Sequence, residues 1–98
     1  MFIEIITVRT VRAEQCAGLL QEMAGFRHAG SHPRPLWWAC YQNLEVENEV
    51  SVHLGWDDSA CLEGKTACGL QVAAFLLQHG LVHHTLWKLS KGSYINEV

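Results

Sequence analysis

The strongest constraint on the fold of this chain is the order in which its apolar pattern changes period. "FIEIITVR" (residues 2–9) is short and rich in isoleucine and valine, so it reads as a strand. In "RAEQCAGLLQEMAGF", Ala13, Cys16, Ala17, Leu20, Met23 and Ala24 recur at three- and four-residue steps, which predicts an amphipathic helix. "AGSHPRP" ends it, because glycine and proline do not continue a helix. "LWWACYQNL" and "VSVHLGW" then read as two strands joined by the charged turn "EVENE", a connection short enough to predict an antiparallel hairpin. "DDSACLEGKTACGLQVAAFLLQHG" predicts a second helix. Asp57, Asp58 or Ser59 would cap it, Ala67, Leu70, Ala74 and Leu77 would form its apolar stripe, and Gly80 would stop it. "LVHHTLWKL" closes the series as a fourth strand, and "SKGSYINEV" is a tail.

Strand, helix, strand, strand, helix, strand is the ferredoxin-like βαββαβ order. The fold class expected is α+β: a four-stranded antiparallel sheet with two helices on one face, as a single domain over residues 1–98. Two helices cover only one face of such a sheet, so the other face should be polar. It is not. The first strand carries Ile3, Ile5 and Thr7 on one side and Phe2, Ile6 and Val8 on the other, and the second sets Trp37, Ala39 and Tyr41 against Leu36, Trp38 and Cys40. A second copy of the sheet is the economical cover, which predicts a homodimer through the sheet face, a dimeric α/β barrel. Ser51 and His53, central on the third strand and opposite in parity to Trp56, are the expected interface residues.

Composition narrows the partners. The net charge is -3 and the seven basic residues are scattered, which excludes a nucleic-acid groove. Glu4 interrupts the apolar start and no cleavage site follows, so no signal peptide is expected. No apolar run approaches the ~20 residues that span a bilayer, and the expected location is cytoplasmic, with no membrane partner. Cys16, Cys40, Cys61 and Cys68 form no Cys-x-x-Cys pair and are read as reduced and mostly buried. No Gly-rich phosphate loop is present, and no cofactor or metal is expected.

The element order, with "GWDDSACLEG" at the end of the third strand and "GLVHHTLWKL" as the closing strand, resembles the antibiotic biosynthesis monooxygenase-like superfamily over nearly the whole chain. The resemblance implies a mostly apolar cavity between helices and sheet in each subunit. It also implies, for some members, oxidation of aromatic or quinol-like substrates by oxygen without metal or flavin. Trp56 stands where a third-strand tryptophan often lines that cavity. Leu54 stands where the family often has a glutamate, and Lys65 lies near the place of a common histidine.

Trp56 is therefore read either as a cavity wall stacking on a flat ligand or as a core anchor. Trp56 and Tyr41 would orient a ring, and His84 would move a proton. His83 and His84 are adjacent on a strand and point to opposite faces, so they do not make a metal pair. His28 and His32 flank Gly30 in a loop, and Cys61 and Cys68, seven apart, share one helical face. Two functions stay open. One is a cofactor-independent monooxygenase-like protein that binds a small apolar, aromatic or quinol-like substrate. The other is a non-catalytic dimeric small-molecule-binding or structural domain.

Overall fold

A computed structural model describes residues 1–26, 34–60 and 63–90; the expectations placed on His28, His32, Cys61 and the tail after Ser90 lie outside these residues. Strand β1 spans Phe2–Thr10, helix α1 Gln15–Ala24, β2 Trp37–Gln42, β3 Glu49–Trp56, α2 Ala67–Leu76 and β4 Gly80–Lys88, with a 3₁₀ turn at Asp58–Ala60. The strands form one sheet in the order β2-β3-β1-β4, and each neighbouring pair is antiparallel. This is the ferredoxin-like α+β arrangement expected from the order of elements. Helix α1 lies over β2 and β3, and α2 lies over β1 and β4.

Side chains alternate along each strand, so register decides which residues meet the helices. Ile6 and Val8 of β1 and Val50, Val52, Leu54 and Trp56 of β3 point to the helices and are buried. Leu19 and Met23 from α1 and Val72 and Leu76 from α2 complete the core. Each such side chain removed from water contributes about 1.5–3 kcal/mol. The hairpin turn is held by its own side chains. Asn43 Oδ1 accepts the backbone N–H groups of Glu45 and Val46 at 2.8 and 3.0 Å, and Asn48 Nδ2 donates to the Thr10 carbonyl at 2.7 Å.

The helices depart from the sequence expectation. Helix α1 buries Cys16, Leu19 and Met23, while Ala17 and Ala24 are exposed, so its inner stripe is narrower than the periodicity implied. Helix α2 starts seven to nine residues later than a cap at Asp57, Asp58 or Ser59 would place it, behind Thr66, whose side chain accepts the Gly69 N–H. It buries Cys68, Gly69, Val72, Ala73 and Leu76, and leaves Leu70 and Leu77 exposed. The reason is that "ACGLQVAAFL" is apolar on nearly all sides, so period alone does not choose its inner face. On its inward side Gly69 lies against the Glu4 side chain of β1. Gly80 also differs from expectation: it opens β4 rather than ending α2, and a Cβ there would lie 2.0 Å from the Arg9 carbonyl oxygen. Asp58 pairs with the amino group of Met1, which holds its carboxyl below the usual range.

The sheet face away from the helices is partly open. Trp37 and Tyr41 of β2 and Leu81 and Trp87 of β4 are exposed there, at 38%, 51%, 79% and 59%.

Candidate functional site

The polar centre of the molecule is Glu4, a residue the sequence reading treated only as an interruption. It shares strand parity with Ile6 and Val8, faces the helices and is 0% exposed. A carboxylate out of water costs several kcal/mol unless donors replace the lost hydration. Four donors do so here. Trp56 Nε1–H and Thr66 Oγ1–H donate to Oε1 at 3.1 and 2.7 Å, and the Thr66 backbone N–H and His84 Nε2 meet Oε2 at 3.1 and 2.6 Å.

Each partner arrives for a local reason. Trp56 is the last residue of β3 and the cross-strand neighbour of Phe2, with its indole on the helix side. His84 lies on β4 opposite Ile6, two positions along β1 from Glu4 on the same face. Its ring is 5% exposed. Thr66 is the N-cap of α2. It accepts from Gly69 N–H at 2.9 Å and passes its own hydroxyl hydrogen to Glu4. The carboxylate thus sits at the positive end of α2 and supplies from β1 the negative charge that a capping aspartate would have supplied locally. Gly69 makes this approach feasible, since a Cβ there would stand 2.0 Å from Glu4 Oε2. The Cys68–Gly69 side of α2 accordingly faces inward, against Glu4.

Beside this cluster lies an apolar cavity of about 230 Å³, lined by Phe26, Arg34, Pro35, Trp38, Leu54, Cys68 and Val72. Phe26 and Trp38 form one wall, with ring centroids 6.3 Å apart. Leu54 is the cross-strand partner of Glu4, so Leu54 and Cys68 stand between the cavity and the buried carboxylate. Burial, and then the Glu4 charge, push the Cys68 thiol up, which keeps it protonated and a poor nucleophile.

The candidate residues named from sequence fall into two groups. Trp56 and His84 meet at Glu4. Tyr41, Ser51 and His53 meet on the opposite face, where Ser51 Oγ and His53 Nε2 are 3.0 Å apart and the Tyr41 and His53 ring centroids 4.5 Å apart. The expectation that Trp56 and Tyr41 orient one ring is therefore corrected. By register Tyr41 pairs with Ser51, on the face that Trp56 does not share. Nor is Trp56 among the cavity-lining residues; it is a core anchor whose N–H is committed to Glu4. Glu4 was legible in one respect: an acid in register with Ile6 and Val8 must point inward. Among the described residues no three His, Cys, Asp or Glu side chains are grouped to hold a metal ion, and no helix is long and apolar enough to cross a membrane. No family model matches the chain, and no curated protein or solved structure matches it.

Proposed function

We propose that this chain is a small-molecule-binding domain of the dimeric α/β-barrel type, taking one apolar or aromatic ring between its helices and its sheet. The observation that carries this reading is the cavity of about 230 Å³ walled by Phe26, Trp38, Leu54 and Val72. It is smaller than the ~300–1,000 Å³ of pockets for drug-sized ligands, which suits a single ring. Titration of hydroquinone and phenol into the protein, followed through the Trp38 indole N–H resonance, tests it. Saturable shifts at Trp38 are expected; no shift at millimolar ligand would remove the reading.

A second reading, a monooxygenase-like enzyme acting on quinol-like substrates without metal or flavin, draws on the Glu4–His84 contact of 2.6 Å. A carboxylate held against an imidazole orients it for proton transfer. Against this reading, neither residue lines the cavity. Oxygen uptake with hydroquinones and anthrones, abolished in His84→Ala, would establish it; absence of uptake leaves the binding domain.

Dimerisation through the open face belongs to the same proposal. Exposed Trp37, Tyr41, Leu81 and Trp87 give that face an apolar character that monomers seldom leave in water. Covering it returns about 25 cal/mol per Å² before the costs of association. His53 sits mid-sheet between Ile5 and Ala39. His53→Asp would place a charge in the closing contact and shift sedimentation toward monomer. A wild-type monomer at micromolar concentration would exclude the dimer.

A further inference from the structure

We infer that the cavity selects a single-ring organic acid, with the ring against Leu54, Cys68 and Val72 and its carboxylate on Arg34. This rests on the cavity reading above and adds the charge of the ligand to it. Arg34 is the one ionised side chain among the cavity-lining residues; it is exposed, and among the described residues it makes no ion pair. Among the described residues, every other lining side chain is apolar or a protonated thiol. A guanidinium at the edge of an apolar pocket matches a planar carboxylate, to which it donates two parallel bonds.

The electrostatics behind the walls fix the direction in which such an acid lies. Glu4 stands behind Leu54 and Cys68, and its negative charge disfavours an anion at that end. The N-terminus of α2, the other place that would attract an anion, is already occupied by the Glu4 carboxylate through Thr66. Among the described lining residues, Arg34 is the attractive group left. The ring therefore goes inward and the carboxylate outward, where it keeps part of its hydration.

A matched pair of probes tests this: phenylacetate and phenylacetamide, nearly equal in shape and different in charge. Calorimetric titration measures affinity, and the Trp38 indole N–H resonance locates the site. The acid should bind roughly fivefold tighter than the amide, the scale of one solvent-screened charge pair. Arg34→Gln should remove that difference by weakening the acid alone, and added salt should narrow it. If acid and amide shift Trp38 with equal affinity, or Arg34→Gln weakens both alike, the charge inference is overturned and the cavity reading stands. If neither probe binds the folded wild-type protein, the cavity reading fails and this inference falls with it.

Discussion

The two faces of one sheet solve the same problem differently. On the helix side a carboxylate is enclosed completely, and Trp56, Thr66 and His84 all meet it. On the other side a serine, a histidine and a tyrosine also cluster, yet each keeps contact with solvent. The difference shows what burial does to polar chemistry. A group inside must be fully satisfied or it destabilises the fold, whereas a half-exposed group borrows water for what the protein does not supply. The inner cluster is accordingly a structural pin with a histidine in it. The outer cluster, half open to water, is free to change partners.

The contrast breaks most sharply at Glu4. Glu4→Ala leaves three residues with donors aimed at an empty site, and should cost about 3–5 kcal/mol, the scale of several buried hydrogen bonds lost together, read as a drop in the urea midpoint. Gly69→Ala attacks the same contact from α2, by pushing a methyl group against the carboxylate. Because both changes act on one contact, the second should cost far less in the Glu4→Ala background than alone. Equal costs in the two backgrounds would show that Gly69 is inward for another reason.

One step smaller is Thr66→Ala, which removes both the cap of α2 and a hydroxyl donor to Glu4, while the Thr66 backbone N–H stays in place. The expected loss is about 2 kcal/mol. Thr66→Ser keeps both bonds and should recover most of it. Across the sheet, Ser51→Ala removes one half-exposed hydrogen bond and should cost less than about 1 kcal/mol in unfolding measurements.

These sites explain what was legible in the sequence. The strands were, because short runs rich in β-branched or aromatic residues between turn residues leave little choice, and "LWWACYQNL" with "VSVHLGW" gave the hairpin. The face assignments of Trp56 and His53 followed from parity alone. The face and start of α2 were not legible. A helix apolar all round hides its inner stripe, and its cap is completed by a residue 62 positions away in sequence. The site was half legible: Trp56 and His84 drew notice singly, but the carboxylate that joins them lies on another strand. The cavity depends on how far helices stand from the sheet, which no periodicity encodes.

The smallest effect is the most diagnostic of the outer face. Partial burial pushes the His53 imidazole below its ordinary pKa of 6.5, with no acid compensating. The folded state therefore holds the ring neutral, while the unfolded chain takes up a proton near its ordinary pKa. Below about pH 6.5 the unfolded state binds more protons, so stability falls as pH drops from 6.5 through the depressed folded value. Above 6.5 this contribution is complete and flat. The slope should be shallow in a monomer, because water still reaches the ring beside Tyr41 and Ser51, and His53→Gln should remove it. Closing a second sheet over the ring would deepen its burial, so the slope should steepen with protein concentration as dimers form. A slope that is the same in dilute and concentrated protein would argue against a second sheet closing over His53.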